Sequence, residues 1–165
     1  MRLCQTRSFA AVLFRRIATR TRKDPQGEGT KELFLTLQQP QRNAIRAKLL
    51  ECLQTEQLSQ VRNKDGDAIA EIARQYVEEG TSVSQQAQEE FSLTMSYNLG
   101  EAWPELLGAL FGASQSSEPG VRETAFRIFS TTPGIIQKQH EEVVQAAFTK
   151  GFKDDDVSVR SVSVL

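Results

Sequence analysis

The sequence predicts an all-α protein built as a solenoid of stacked antiparallel helix pairs. A Val-Arg pair after a turn occurs three times, at Arg62, Arg122 and Arg160, and each leads into an apolar, helix-compatible run. The last two arginines are 38 positions apart, which is the length of one two-helix repeat, and the first two are 60 apart. Because one helix pair cannot bury its apolar face alone, such arrays usually act by recognising partners along their surface.

The first predicted element is a packing helix over residues 9–18. Its apolar side chains recur at the spacing of one helix face, and they are Phe9, Val12, Leu13 and Ile17. Asp24-Pro25 and two glycines then predict a loop over 23–29.

A complete helix pair is predicted over residues 40–77. Pro40 suits the start of its first helix, where a missing amide costs little, and Ser59 is the expected N-cap of its second helix. The buried stripe of that second helix is predicted to consist of Val61, Ala68, Ile69, Ile72, Ala73 and Tyr76.

Two more pairs are predicted in the C-terminal half. One begins at Trp103-Pro104 and continues with a helix over 120–131. The other has a first helix whose apolar face comprises Val143, Val144, Ala147, Phe148 and Phe152, followed by a short helix from Val157. In this organisation the end of a first repeat with a basic start occupies 1–24, repeats occupy 25–80 and 101–136, and a truncated repeat occupies 137–165.

The segment 81–100 interrupts this pattern. It is polar, rich in glutamine and without a clear period, and its removal would shorten the 60-residue interval to 40. Two interpretations stay open: an insertion between helices, or an in-frame intron retained in the translation.

Charge is unevenly distributed, although the formal net charge is only -1. Residues 1–23 hold seven basic side chains and no acidic one, against 13 basic and 21 acidic residues in the remainder. The start could also imitate a mitochondrial presequence. The acidic remainder suits a basic partner, or it is an ordinary solvated face.

Reactive groups do not converge in this sequence. Cys4 and Cys52 are 48 positions apart and His140 is the only histidine, so neither a metal site nor a cofactor is predicted, and both cysteines are expected to be free thiols. No P-loop, GxSxG or HExxH motif occurs, so an enzyme is not expected. Neither membrane insertion nor nucleic-acid binding is predicted, because long apolar runs and aromatic residues interleaved with the basic ones are both lacking.

Four stretches resemble the importin-beta superfamily, the karyopherin-beta family of HEAT-repeat nuclear import receptors. They lie at 10–24, 57–73, 102–136 and 148–165, and the most specific part is AWPELL at 102–107 followed by VRETAFRI at 121–128. The resemblance departs from the family pattern at the start, where the usual opening helices are missing, at the extra segment 81–100, and at the cut C-terminus. An unrelated HEAT scaffold for protein–protein interaction is the alternative, which would share the Val-Arg turns but not the AWPELL block.

This resemblance implies a HEAT-repeat α-solenoid from a carrier that shuttles between cytoplasm and nucleus. Its partners would be cargo with a basic nuclear localisation signal, Ran-GTP and FG nucleoporins. The second helix of each repeat would line the concave surface. Helix phase then gives candidate contacts at exposed polar positions, where solvated helix residues are the alternative reading: Asn63, Asp67, Glu71, Glu123 and Arg127.

The three repeated arginines are expected to have a structural role. In HEAT arrays an arginine here forms a ladder between adjacent repeats with an aspartate of the turn, and its planar bidentate donor group suits that task. The resemblance therefore implies a ladder that involves Arg62, Arg122 and Arg160, with Asp155 or Asp156 as the aspartate.

Overall fold

A computed structural model describes residues 2–23, 29–87, 103–136 and 141–163 of the chain, and in it the side chains of 2–3, 78–87 and 141 are left undescribed. The chain divides into two compact units, residues 1–72 and 73–165. The elements follow in chain order: α1 Arg2–Ala18, β1 Thr21–Lys23, β2 Thr30–Glu32, a 3-10 helix Leu33–Thr36, α2 Gln39–Thr55, α3 Ser59–Ala87, α4 Pro104–Ser114, α5 Pro119–Thr131, a 3-10 helix Pro133–Ile135, α6 Glu141–Phe152 and α7 Val157–Val162.

The first unit contains α1, the β-hairpin, α2 and the N-terminal part of α3. Pro40 lies in the first turn of α2, as predicted, and a capping box between Gln38 and Gln41 begins that helix. Helix α3 begins at Ser59 itself, so the expectation of Ser59 as its N-cap was wrong by one position. Its predicted stripe is confirmed, since all six of its side chains are buried.

The hairpin of β1 and β2 was not predicted. Thr21 pairs with Glu32 and Lys23 with Thr30 in antiparallel register, and the predicted loop residues 24–28 lie outside the described part of the chain. Two strands of three residues are marginal by themselves. They gain support from the adjoining chain, where the Leu33 amide donates to the Arg20 carbonyl at 2.7 Å.

Helix α1 buries a different face from the predicted one. Ala11 and Ala18 are buried, whereas Phe9, Leu13 and Ile17 of the predicted packing stripe are exposed. The helix has apolar residues on both sides, and Arg7 and Arg15, which lie on the same side as Ala11 and Ala18, form ion pairs within the first unit.

The second unit has an aromatic cluster at its centre. Phe111 of α4, Phe126 and Phe129 of α5 and Phe148 of α6 lie with ring centroids 5.3 to 6.3 Å apart. Trp103 is fully buried. The four phenylalanines join the α4 and α5 pair to α6, and their ring–ring contacts add stability beyond the burial of apolar area. For two residues of α6 the predicted burial is wrong, because Val143 and Phe152 are about half exposed (51% and 49%).

Helix α3 continues well past the predicted end at Val77. It runs to Ala87 and therefore includes the first seven residues of the segment 81–100. The remainder of that segment, 88–100, and His140 lie outside the described residues.

Candidate interaction surfaces

The turn before each repeated arginine has the same hydrogen-bonded structure. Each guanidinium donates to the carbonyl oxygens six and five residues earlier, so it holds its own turn closed. Arg62 binds the carbonyls of Glu56 and Gln57 at 2.8 and 3.2 Å. Arg122 binds those of Ser116 and Ser117 at 2.9 and 3.0 Å, and Arg160 those of Asp154 and Asp155 at 2.6 and 2.9 Å.

The residue six positions before the arginine completes this turn. Its side chain accepts a hydrogen bond from the amide two residues later: Glu56 from Leu58 at 2.9 Å, Ser116 from Glu118 at 3.2 Å, and Asp154 from Asp156 at 3.0 Å. This offset is shared by all three turns, and we call it position -6. A carboxylate there keeps a second oxygen for another partner.

Arg122 joins one helix pair to the next through position -6 of the following turn. Its Nε lies 2.7 Å from Asp154 Oδ2 and its Nη2 lies 2.7 Å from Oδ1. Both side chains are mostly buried, with 13% and 6% of their surface exposed. These hydrogen bonds hold the pKa of Asp154 below its ordinary range.

The carboxylate of this pair differs from the sequence-based choice. Asp154 pairs with Arg122, whereas the expectation was Asp155 or Asp156. Asp156 instead caps α7 by accepting from the Ser158 amide at 2.8 Å, and Asp155 contributes only its carbonyl to Arg160. Asp154 is the residue whose offset matches position -6.

The first unit contains a comparable ion pair. Arg7 of α1 pairs with Glu56, which occupies position -6 of the Arg62 turn and has only 6% of its side chain exposed. In both pairs an arginine of one helix binds the carboxylate of the turn that precedes a later helix. Sequence reasoning missed Arg7, Glu56 and Asp154, although an acid six residues before the Val-Arg arginine was a readable signal in two of the three turns.

The five candidate contacts are half buried, which differs from the exposed positions expected for them. Asp67 forms ion pairs with Lys64 at 3.3 Å and Arg15 at 3.5 Å. Glu123 and Arg127 pair with each other at 3.2 Å. The three residues on α3 lie at i, i+4 and i+8, so Asn63, Asp67 and Glu71 share one helix face.

An apolar pocket of about 580 Å³ lies in the first unit among α1, α2 and α3. Ala11, Phe14, Leu49 and Val61 are among its apolar walls, and Arg7, Asp65 and Glu56 contribute polar atoms. Burial raises the pKa of the Asp65 carboxyl, and Arg7 opposes that rise.

Cys52 also lines this pocket, and burial raises the pKa of its thiol. A raised pKa lowers the thiolate fraction, so the thiol is a poor nucleophile. Cys4 and Cys52 are both free cysteines.

A polar groove of about 800 Å³ follows the Arg122 and Asp154 pair in the second unit. Ser116, Gln145 and Lys150 are among its lining residues, and Lys150 contacts Gln115. Because the groove carries cations and carboxylates together, it favours neither sign of charge in a ligand.

Among the described residues, no cluster of three or more histidine, cysteine, aspartate or glutamate side chains could hold a metal ion. Within the same part of the chain, no helix is long and apolar enough to cross a membrane. What the surface offers is a repeated turn, an apolar pocket and half-buried polar positions.

Stacked helix pairs joined through a recurring arginine turn define the class of protein, an α-solenoid of helical repeats. Residues 90–165 match the family model described as IPO5-like, TPR repeats. The chain is 27% identical over 158 residues to importin subunit beta-3 of Saccharomyces cerevisiae, a match that covers 94% of this chain and 12% of that protein.

Solved structures of Kap121p give the same result. The crystal structure of Kap121p bound to Pho4p matches with a TM-score of 0.68, and that of the karyopherin Kap121p bound to the extreme C-terminus of the protein phosphatase Cdc14p with 0.67. Both are 28% identical and cover 95% of this chain, which spans 12% of theirs. These findings confirm the resemblance to the importin-beta superfamily and the predicted fold, a HEAT-repeat α-solenoid.

Proposed function

We propose that this chain forms part of a nuclear import receptor that shuttles between cytoplasm and nucleus. Its partners would be Ran-GTP, cargo with a basic nuclear localisation signal, and FG nucleoporins. The observation that carries the proposal is the similarity to importin subunit beta-3, which is 27% identical and extends over 94% of this chain. Kap121p, which has a similar fold and is 28% identical to the chain, was crystallised with a protein partner in each of two structures.

The face of α3 that carries Asn63, Asp67 and Glu71 supports recognition of a basic partner. Carboxylates at i and i+4 present two acceptors about 6 Å apart on one helix face. The ion pairs of Asp67 with Lys64 and Arg15 are longer than 3 Å, so a well-placed cation of a cargo or of Ran could replace them. Glu123 and Arg127 of α5 are proposed to contribute in the same way in the second unit.

The apolar pocket of the first unit supports contact with FG nucleoporins. Its volume of about 580 Å³ and its walls of Ala11, Phe14 and Leu49 suit a phenylalanine ring. The role we propose is therefore binding, without a catalytic step, cofactor or metal.

Nucleotide-dependent binding of Ran is the sharpest test. The 165-residue chain would be titrated by biolayer interferometry against immobilised Ran loaded with a non-hydrolysable GTP analogue, and in parallel against Ran-GDP. We expect affinity for the GTP form to be higher by at least about ten-fold, roughly 1.4 kcal/mol. Equal affinity for both forms, or binding of neither, would remove the transport role and favour a HEAT scaffold outside transport.

A charge-reversed pair of variants locates the contact. Glu71→Lys changes the candidate face of α3, whereas Glu105→Lys changes an exposed residue of α4 that is not a candidate. We expect only Glu71→Lys to weaken Ran-GTP binding, with circular dichroism showing the same helix content for both. Equal loss in the two variants would assign the effect to net charge and contradict the proposed face.

A further inference from the structure

The Arg122 turn differs from the other two turns at position -6. Glu56 and Asp154 are carboxylates there, and each accepts the backbone amide and also binds a guanidinium. In the Arg122 turn this position is Ser116, whose hydroxyl accepts the same backbone bond at 3.2 Å, the longest of the three. A hydroxyl carries no charge and has no second oxygen for another partner. The turn therefore lacks the negative charge that this position has in the other two.

Two lysines of α6 line the same polar groove as Ser116. Lys150 and Lys153 are both exposed, and the groove is enclosed by the turn before α5, by α6 and by the turn after it. Lys150 also contacts Gln115, the residue before Ser116, so its ammonium group lies beside the turn. Within the described chain neither lysine is part of an ion pair, whereas Arg122 is. A negative group on Ser116 would therefore meet two cations that no carboxylate pairs with directly.

We propose that Ser116 is a phosphorylation site, and that its phosphate supplies the missing charge at position -6 by binding Lys150 and Lys153. In the transfer, the Ser116 Oγ attacks the γ-phosphorus of ATP held by a protein kinase. The hydroxyl proton passes to a base of the kinase, and ADP leaves as the new Oγ–P bond forms. A phosphate on serine carries a charge of about -1.5 to -2 at pH 7 and three acceptor oxygens. One oxygen can keep the backbone hydrogen bond while the others bind the ammonium groups.

The three serines near this turn have different surroundings. Ser114 is 1% exposed and its hydroxyl donates to the Phe111 carbonyl, so the folded chain has no room for a phosphate there. Ser117 is exposed but does not line the groove. Ser116 is half buried and borders the open groove of about 800 Å³. Of the three, it alone combines space for a phosphate with the two lysines.

The groove also contains carboxylates, which is why attachment to the chain matters. Asp154, Asp155 and Glu142 line it together with the cations. A freely diffusing anion meets both signs of charge in such a groove. A phosphate bonded to Ser116 stays beside the turn that Lys150 already contacts, and it does not lose the translational freedom that a separate ligand loses.

Phosphorylation would join the α4 and α5 pair to α6 a second time. The first link is the ion pair of Arg122 with Asp154, and the phosphate would bind at the same groove. The new charge would also lie just before the N-terminus of α5, where the helix dipole favours it. We therefore expect the modification to stabilise the second unit.

The first test compares 165-residue chains with phosphoserine incorporated during translation at position 116 or at position 117. Thermal denaturation followed by the fluorescence of the buried Trp103 reports on the second unit. We expect phosphorylation of Ser116 to raise the midpoint by about 3 °C or more, and phosphorylation of Ser117 to change it by less than about 1 °C. A midpoint that is unchanged or lower with phosphate on Ser116 would overturn the proposal.

Two double variants show whether the lysines carry this effect. With phosphate on Ser116, Lys150→Gln/Lys153→Gln should abolish the rise of the midpoint. The control Arg22→Gln/Lys23→Gln removes the same charge from exposed positions of β1 in the first unit, and it should leave the rise intact. Equal behaviour of the two double variants would contradict the contact with the lysines.

Phosphorus NMR measures that contact independently of stability. The second pKa of a phosphoserine is about 6, and nearby cations lower it because they favour the dianion. We expect the phosphate at position 116 to titrate at a pH at least about 0.5 lower than the phosphate at position 117. The difference should vanish in Lys150→Gln/Lys153→Gln. Equal titration of the two phosphates in the otherwise unchanged chain would overturn the proposal.

The modification itself is tested on the protein isolated from its own cells in the presence of phosphatase inhibitors. Fragment mass spectra distinguish phosphate on Ser116 from phosphate on Ser114 or Ser117. We expect it on Ser116, and phosphate confined to the other two serines, or no phosphate on any of them, would overturn the proposal. None of these measurements involves Ran, so failure of this inference and failure of the proposed transport role are distinguishable.

Discussion

At the scale of single residues, Asp154 has a role that its two neighbours in the Asp154-Asp155-Asp156 run lack. It accepts from the Asp156 amide and binds the Arg122 guanidinium through both oxygens, with 6% of its side chain exposed. Replacing one partner of a buried ion pair leaves the other charge without compensation. We therefore expect Asp154→Asn to lower the free energy of unfolding by about 3 kcal/mol, measured by urea denaturation.

Asp155→Asn is the matched control for that measurement. It removes the same charge one position later from an exposed side chain, so we expect a change within about 0.5 kcal/mol. A larger loss of stability for Asp155→Asn than for Asp154→Asn would contradict the pairing of Arg122 with Asp154.

The same prediction has a pH dependence with a definite sign. Because Arg122 lowers the pKa of Asp154 in the folded state, the unfolded chain binds more protons between the two pKa values, and stability rises with pH there. The contribution is complete above the ordinary carboxyl pKa of about 4 and is lost as the pH falls through the folded value. The difference between the wild-type chain and Asp154→Asn should therefore shrink below about pH 4.

Charge alone could not choose among the three aspartates. All three lie in the turn before Arg160, and the charge pattern is the same for each. Comparison of the three turns resolves the choice, because Glu56, Ser116 and Asp154 share position -6 and accept the same hydrogen bond. The periodic arginines were visible because Val-Arg recurs, whereas position -6 is a different residue in every turn.

At the scale of elements, α1 shows why apolar spacing can select the wrong face. Its apolar residues cover more than half of the helix circumference, so periodicity could not decide which side packs. The side that packs also carries Arg7 and Arg15, whose acidic partners come from residues about fifty positions later in the chain. Helix α3 shows the opposite case, since all six residues of its predicted stripe are buried, although Arg62, Ala70 and Gln75 are buried as well.

Close packing of α6 against its neighbours depends on Gly151. A Cβ atom there would lie 2.5 Å from Ser163 Oγ and 2.7 Å from Phe126 Cζ. We expect Gly151→Ala to destabilise the chain by about 1–3 kcal/mol, because this overpacking outweighs the helix propensity of alanine.

Gly108 provides the comparison for this substitution. It lies within α4, and beyond its chain neighbours and the backbone of its own helix no atom lies within 4 Å of the Cβ that alanine would add. Gly108→Ala should therefore stabilise by up to about 1 kcal/mol through helix propensity alone. Thermal denaturation of both variants measures the difference, and a stabilising Gly151→Ala would contradict the close contact with Phe126.

At the scale of the whole molecule, the order of helices followed from the sequence, but the end of α3 did not. Turn residues such as Pro40, Pro104 and Pro119 lie where helices begin, so the α2, α4 and α5 boundaries were close to those observed. The end of α3 was missed because residues 81–87 lack an apolar stripe, yet they continue the helix. The family match that starts at residue 90 also begins inside the segment 81–100. Whether this segment is an insertion or a retained intron is a question for sequencing the transcript across codons 80–101.

Helix α3 contributes residues to both compact units, which predicts that the two units unfold together. In solenoids stability is approximately a sum of repeat and nearest-neighbour terms, so loss of one repeat lowers the stability of the next. The single tryptophan, Trp103, is fully buried in the second unit, and its fluorescence therefore reports on that unit. Circular dichroism reports on the helices of both.

A substitution in the first unit should consequently shift the Trp103 signal of the second. Glu56→Gln removes the charge that Arg7 binds but keeps an acceptor for the Leu58 amide. We expect it to lower the free energy of unfolding by about 1.5 kcal/mol. Both the fluorescence and the dichroism midpoints should fall together in urea, whereas Glu51→Gln, at an exposed ion pair with Lys48, should move neither. If only the dichroism transition moved, the units would unfold separately, and a continuous α3 would not couple them.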